Sequence, residues 1–333
     1  MKQPYWLLWA AWFMLSLPCL AQTHHSSKDG DKVQLKYKIT SNAPDSANNL
    51  SLFLALGGIY STYNQAVGPS ATFNYCFRNR IAVFANATYS ISENHGMDLQ
   101  QGTPAVSLTH WYNYEAGAAL TFMKEMHQET ENVQVDYKDG VHYEATIPAE
   151  KLRMNALRGG YGFYNSFFNA SSVNFSGYNV ADPKHNVINM EQYTSGNPEF
   201  NRYGAMMQVP YLFVGVNTAQ ISDISAIFTG YKGVKSFSRK IQFGVDFLYA
   251  QTITYSDVTI TDGTTANNLP AGTYHINDNT PKSRIGGRAF VAFYPVHSIG
   301  FAYYAEGGVM PGIPNGWYLT IRAGIPLNAK VLE

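Results

Sequence analysis

Apolar and polar residues alternate with a period of two along much of the chain. Between 241 and 250, one face holds Ile241, Phe243, Val245, Phe247 and Tyr249, and the other holds Gln242, Gly244, Asp246, Leu248 and Ala250. Between 317 and 325, Trp317, Leu319, Ile321, Ala323 and Ile325 again share one face. Successive side chains of a β-strand point to opposite sides, so this period predicts strands. The same pattern in 50–59, 80–91, 112–122 and 284–294 predicts an all-β protein.

The composition of the polar faces separates two all-β architectures. In a soluble β-sandwich the outer face meets water and carries many Lys and Glu residues. Here the polar faces consist mainly of Gly, Ala, Ser, Thr, Asn and Tyr, with isolated charges. Such faces suit the crowded interior of a barrel, while the apolar faces suit lipid. The pattern therefore predicts a transmembrane antiparallel β-barrel, and a sandwich is the alternative.

Candidate strands indicate the size of the barrel, which we expect to have about 12 strands. The candidates are 50–61, 67–77, 80–91, 109–123, 131–138, 141–148, 153–165, 203–216, 239–259, 283–294, 298–310 and 315–327. The hairpin around Lys138-Asp139-Gly140 carries charges that suit water, and its loss would leave about ten strands. A split of the region 217–237 would give about fourteen.

Connection lengths predict the orientation of the barrel. Outer-membrane barrels have short periplasmic turns and longer extracellular loops. Phe77-Arg78-Asn79-Arg80 and the stretch from Tyr294 to Ser298 are short connections, so we expect them on the periplasmic side. The long polar stretches are Glu93 to Ser107, Asn169 to Asn201 and Thr261 to Lys282. We expect them to be extracellular loops.

Composition narrows the class further. Charged residues make up 14% of the chain, below the ~25% of ordinary soluble domains. Aromatic residues also reach 14%, with 24 Tyr and 19 Phe. After the N-terminal segment no apolar run approaches the ~18 residues of a membrane-spanning helix. The formal net charge is zero and no basic stripe is present, which excludes nucleic acid as a partner.

The N-terminal residues predict export. Lys2, the apolar stretch from Leu7 to Leu17 and the small Ala21 follow the order of a secretory signal peptide. A lipid anchor at Cys19 is the alternative, and Pro18 disfavours it because a small residue is expected there. We therefore expect a signal peptide over 1–21, a flexible periplasmic lead-in over 22–48 and an outer-membrane barrel over 49–333.

Six charged residues fall on inward faces if the alternation holds. They are Glu115, Asp246, Arg284, Arg288, Glu306 and Arg322. Both signs are present, so these lumen charges are expected to form either a salt-bridge network that braces the barrel or a ring that selects ions. Arg284 and Arg288 on one strand are the best case for an anion-attracting constriction.

Motifs for catalysis are missing from the sequence. It contains no Gly-x-Ser-x-Gly, no His-Glu-x-x-His and no tight acidic cluster along the chain. Gly159-Gly160-Tyr161-Gly162 lies within an alternating strand, and no helix follows it to hold phosphate. We expect no enzyme, no catalytic, cofactor-binding or metal residues, and no cofactor.

Several stretches resemble a known group of proteins. They are the signal ending Leu20-Ala21-Gln22, the Gly- and Tyr-rich strands, and the region from Phe213-Val214-Gly215-Val216 through Gly230-Tyr231-Lys232-Gly233 to Phe243–Tyr249. These are similar to uncharacterised outer-membrane barrels of Bacteroidota, and within that group to the PorP/SprF proteins, which accompany type IX secretion and gliding. The resemblance covers the C-terminal half and implies a place beside a secretion complex. The chain lacks that family's Gln-rich N-terminal segment and ends Val331-Leu332-Glu333 without a terminal aromatic residue.

Two functions are compatible with these observations. The first is an outer-membrane barrel that serves passage or export, as a porin-like channel or as an accessory of a secretion complex. The second is a structural or adhesive barrel that does not transport and presents its extracellular loops to partners. The partners expected are outer-membrane lipid and secretion-complex or surface proteins.

Overall fold

The computed structural model describes residues 32–44, 49–61, 65–94, 111–138, 141–169, 175–179, 204–260, 272–276, 283–295, 300–312 and 316–329. The predicted signal peptide, residues 1–21, lies outside the described residues, as do most of the three predicted extracellular loops. No helix in the described ranges is long and apolar enough to cross a membrane.

The described residues form β-strands along most of their length. In chain order they are β1 (Lys32–Gln34), β2 (Tyr37–Asn42), β3 (Leu50–Ser61), β4 (Gln65–Phe77), β5 (Ile81–Tyr89), β6 (Ser92–Asn94), β7 (Tyr112–Lys138), β8 (Val141–Asn169), β9 (Phe175–Asn179), β10 (Gly204–Phe228), β11 (Lys235–Ala250), β12 (Thr254–Tyr255), β13 (Val258–Ile260), β14 (Gly272–Ile276), β15 (Ile285–Pro295), β16 (Ala302–Val309) and β17 (Trp317–Ala329).

Ten of these strands close into an antiparallel barrel. Their order is β8-β7-β5-β4-β3-β17-β16-β15-β11-β10, and β10 pairs with β8 to complete the ring. The barrel confirms the predicted fold class, and ten strands fall within the expected range of 10 to 14. The register is regular, and in the β11–β15 ladder Asp246 lies directly opposite Arg288.

The barrel has ten strands because four of the twelve candidates belong to two long strands. The candidates 109–123 and 131–138 are parts of β7, and 141–148 and 153–165 are parts of β8. Residues 122–130 are exposed on both faces of β7. A strand that is exposed on both sides does not need alternating apolar residues. The polar residues at 122–130 therefore suggested a break between two strands, although β7 continues through them.

Contacts divide the chain into two compact units. The small unit comprises residues up to Pro44, Met126–Lys151 and Ser222–Ser238. The barrel unit comprises Asp45–Glu125, Leu152–Ile221 and Arg239–Glu333. Each is described by itself below.

The barrel unit carries large apolar side chains on its outside. Leu56 is 65% exposed and Val245 is 58% exposed, whereas the inward-facing Phe53 and Leu248 are 1% and 0% exposed. The alternation over 241–250 and 317–325 therefore has the predicted facing. An apolar exterior around a packed, partly polar interior is typical of outer-membrane barrels.

The small unit has a hydrophobic core of its own. Its buried residues are Val133, Val135, Ala145, Ile147, Ala149, Ile224, Ala226 and Phe228. β1 pairs in parallel with β8, β2 pairs antiparallel with β10, and Tyr37 and Ile39 of β2 pack against the core.

For residues 32–42, these N-terminal strands correct the expectation of a flexible lead-in over 22–48, the rest of which lies mostly outside the described residues. Tyr37 and Ile39 are partly buried, while Lys38 and Thr40 between them are exposed. The period of two is therefore present in the lead-in. This alternation covers only a few residues and includes Lys38, so it was not recognised from the sequence.

Two predicted loops are joined by a separate three-stranded sheet in the order β13-β14-β9. β9 lies within the predicted loop from Asn169 to Asn201, and β14 lies within the one from Thr261 to Lys282. Their pairing, with Tyr178 opposite Tyr274, links the two segments.

Glycine at position 162 is required by close packing. A Cβ atom there would lie 2.2 Å from Cζ and 2.5 Å from the hydroxyl oxygen of Tyr211, whose side chain is fully buried. We expect G162A to destabilise the barrel by about 1–3 kcal/mol, because Tyr211 must move within a filled interior. Urea-induced unfolding in lipid vesicles, followed by tryptophan fluorescence, measures this.

The matched control is G58A. Its added Cβ would meet its nearest neighbour, the carbonyl oxygen of Ala66, at an ordinary 3.6 Å. Equal unfolding midpoints for G162A and G58A would contradict this account of the packing around Tyr211.

Candidate functional site

Five of the six predicted lumen charges are buried. Glu115 is 7% exposed, and Asp246, Arg288, Glu306 and Arg322 are each 1–3% exposed. They come from β7, β11, β15, β16 and β17. The period of two brings them together because each alternates with an outward apolar residue.

Arg288 is the centre of this cluster, which we call the lumen network. Its Nε donates a hydrogen bond to Oδ2 of Asp246 at 2.7 Å. A terminal nitrogen of the same guanidinium contacts Glu115 and lies 3.4 Å from Oε2 of Glu306. One arginine thus binds three carboxylates from three strands.

Tyrosine hydroxyls complete the hydrogen bonding of two carboxylates. Tyr211 donates to Glu115, and Tyr318 donates to Oε1 of Glu306 at 2.7 Å. Tyr304 donates to the second oxygen of Glu306. Buried carboxylates need such donors because they have lost their water. None of these three tyrosines was predicted from the sequence to be the partner of an acid.

Two further arginines extend the lumen network. Nε of Arg158, in β8, lies 3.3 Å from Oδ1 of Asp246, and its guanidinium lies 4.6 Å from the ring centroids of both Phe84 and Phe290. Arg322 donates to Oδ1 of Asn86 at 2.6 Å and lies over the ring of Tyr304.

Arg158 was missed in the sequence analysis, although a signal was available. Its neighbour Leu157 is 51% exposed, so the period of two in β8 turns Arg158 inward. Glu115, Asp246 and Glu306 then balance Arg158, Arg288 and Arg322 in charge. Because these side chains and Leu248 are almost fully excluded from solvent, the lumen at this level is filled by side chains.

Arg284 corrects the sequence-based set of lumen charges. The side chain of Arg284 is exposed, and the residue lies one position before β15. At this end of β15, the last residue pair with β11 is Ile285 opposite Tyr249. The backbone oxygen of Arg284 still accepts a hydrogen bond from the N–H of Ala250, but its side chain is exposed and is not part of the buried lumen network. The constriction suggested for Arg284 with Arg288 is therefore not formed.

A cavity of about 140 Å³ adjoins the lumen network within the barrel unit. Arg158, Arg322 and Glu115 belong to both, and Lys240 and Asn217 are among the other lining residues. Within the described part of the chain, no three His, Cys, Asp or Glu side chains could together hold a metal ion.

The prediction that the chain is not an enzyme is corrected. One of its grounds was the lack of a tight acidic cluster, and that ground is wrong because the fold gathers three carboxylates that are far apart in the sequence around Arg288. Motif searches along a sequence do not detect groups that converge across a barrel. The lack of motifs along the sequence therefore does not support the prediction that the chain is not an enzyme.

Comparisons with known proteins add little. No protein-family model matches the chain, and no curated protein matches it. Among solved structures it is similar to a loop-deletion mutant of OmpT, an outer membrane protein of Vibrio cholerae, at 8% sequence identity and a TM-score of 0.19. That alignment covers 84% of this chain and 98% of the other. At this TM-score the likeness carries no argument about fold or function.

Arg288 offers a direct test of the lumen network. We expect R288M to destabilise the barrel by about 3–5 kcal/mol, because three carboxylates then remain buried without their shared cation. Unfolding in lipid vesicles by urea measures the loss.

R284M is the control, since it removes the same charge from an exposed position on the same segment. Its effect is expected to stay within about 0.5 kcal/mol. If R288M were as stable as R284M, Arg288 would not hold the lumen network together.

Proposed function

We propose that the chain is an outer-membrane β-barrel with a closed lumen, which serves as an accessory to a partner complex. The observation that carries this proposal is the buried lumen network. A porin-like channel would have water between the charges of its lumen. Here the charges around Arg288 are buried and contact one another instead.

The exterior of the barrel supports a place in lipid. Large apolar side chains are exposed on every strand of the ring, among them Leu54, Val83, Leu157, Val214, Val245 and Ile325. A soluble protein rarely exposes such a continuous apolar surface. Hydrocarbon is the environment in which these rows are stable, and a closed ring leaves no unpaired strand edge within it.

The small unit supports a role in binding a partner. It has a hydrophobic core of its own, with Ile147, Ile224 and Phe228 among the fully buried residues. The unit therefore offers partners a folded surface.

The resemblance to PorP/SprF proteins extends the proposal to the class of partner. Under it, the partner complex is a secretion complex of the type IX kind. The same resemblance supports a Bacteroidota origin. The order of residues in 1–21 supports the export signal that an outer-membrane location requires.

A second candidate function is favoured by the sheet β13-β14-β9. Two segments expected to be extracellular loops pair with each other, which would present them as one surface. Deletion of 261–282 separates the candidates: loss of surface-partner binding with intact folding supports presentation, whereas unchanged binding supports the accessory role.

The closed lumen predicts a specific result in planar lipid bilayers. We expect the purified, refolded protein to produce no channels of constant conductance, because side chains fill the lumen at the level of Arg288. A porin reconstituted in the same bilayers is the positive control. Long-lived openings of uniform size would overturn the closed-lumen proposal and favour the porin-like reading.

Lipid exposure predicts the effect of a charge on the outside of the barrel. We expect V245K to reduce the free energy of folding into lipid vesicles by up to about 2–4 kcal/mol, because Lys is costly in the apolar zone. The control is V33K, the same substitution at an exposed position of β1 in the small unit, and we expect little change from it. Equal tolerance of the two substitutions would mean that lipid does not cover Val245.

A further inference from the structure

The cavity beside the lumen network lies toward one end of the barrel. Its lining includes Asn49, which precedes β3, Asn328 near the end of β17, and Asn79 in the turn between β4 and β5. The cavity is therefore at the end where the barrel's first strand begins and its last strand ends. All of its lining residues belong to the barrel unit.

Positive charge is in excess around this cavity. Arg158, Arg322 and Lys240 line it, and the only carboxylate among its lining residues is Glu115. Glu115 is already bound by Arg288 and Tyr211. Among the described residues, no carboxylate forms an ion pair with Lys240. Lys240 is therefore a cation of the cavity that the three carboxylates of the lumen network do not balance.

Two buried polar atoms at the cavity lack hydrogen-bond partners within the described structure. One is Nε of Arg322, a donor on a residue that is 2% exposed, and the other is Oδ1 of Asn217, an acceptor. A buried polar group left unpaired costs about 1–3 kcal/mol. A ligand that accepts from Arg322 and donates to Asn217 would remove both costs.

Arg322 and Arg158 are held in place before any ligand binds. Arg322 is fixed by its bond to Asn86 and by the ring of Tyr304, and Arg158 lies between Phe84 and Phe290. Preorganised groups bind more tightly because little side-chain freedom is lost on binding. Amide side chains, including Asn74 and Gln242, supply further donors and acceptors on the cavity wall.

We propose that this cavity is a binding site for a small organic anion. A carboxylate or phosphate group accepts hydrogen bonds from Arg322 Nε and pairs with Lys240, and a hydroxyl of the same molecule donates to Asn217 Oδ1. A cavity of about 140 Å³ has room for roughly ten water molecules, since each needs about 10–15 Å³ of such space. The ligand is therefore a molecule of about ten non-hydrogen atoms or fewer. The site does not require an open lumen, since it occupies one end of the barrel.

Isothermal titration calorimetry on the full chain, refolded in detergent, tests the proposal with three probes of similar size. Glycerol 3-phosphate and glycerate carry the two candidate anionic groups, and glycerol is the neutral counterpart. We expect saturable binding of at least one anion and none of glycerol at the same concentration. The preferred anion identifies the headgroup, phosphate or carboxylate.

Variants assign the binding to this cavity. We expect K240Q and R322Q to weaken anion binding tenfold or more, because each removes a cation from the cavity wall. R284Q removes an exposed arginine that does not line the cavity, and it is expected to bind as the parent protein does. The folded state of each variant is checked by its heat-modifiable mobility in gel electrophoresis, and K240Q supplies the test if R322Q fails to fold.

Three outcomes would overturn the proposal. They are the absence of saturable binding of both anions to the folded protein, equal binding of glycerol, and unchanged affinity in folded K240Q. The conductance test of the closed lumen is independent of all three, so failure of the one proposal is distinguishable from failure of the other.

Discussion

The structure of the barrel depends on how Arg288 is paired inside it. Ten strands enclose an interior that side chains can nearly fill, whereas barrels with open aqueous channels have about 16 or more strands. A charge placed in such an interior loses its water and is tolerated only with partners. Arg288 contacts Glu115, Asp246 and Glu306, and tyrosine hydroxyls satisfy remaining carboxylate oxygens. Strands that are distant in sequence are therefore bound to one another through the lumen.

The same alternation that builds the lumen network also builds the exterior. On β11, Asp246 faces inward and is 1% exposed, while the adjacent Val245 and Phe247 are about half exposed. In a water-soluble sheet this would place the apolar face in solvent, at a cost that rises with every strand of the ring. Lipid removes that cost, so the buried charges and the exposed apolar rows are two consequences of one pattern.

The sequence predicted the facing of the barrel strands well because the facing is a local property. The period of two alone predicted that Glu115, Asp246, Arg288, Glu306 and Arg322 lie inside the barrel, and all five are buried. The alternation could not show that Arg284, near the end of its strand, is exposed. It also could not show which tyrosines reach which acids across the lumen. The alternation also failed to predict the middle of β7, which is exposed on both faces. A strand that is exposed on both sides needs no apolar face, so its sequence does not alternate. The number of strands and the acidic cluster depend on these long-range features.

The two parts of the lumen differ in how their charges are balanced. In the lumen network each carboxylate meets Arg288, so the groups stabilise one another and leave little for a ligand to gain. At the cavity, Lys240 and the Nε of Arg322 are cationic donors without a carboxylate of their own among the described residues. A buried charge needs a partner. This rule explains the pairing around Arg288, and it also explains why the cavity is suited to an anion. A barrel closed to ion flow can still be a receptor, because binding at one end requires no path to the other.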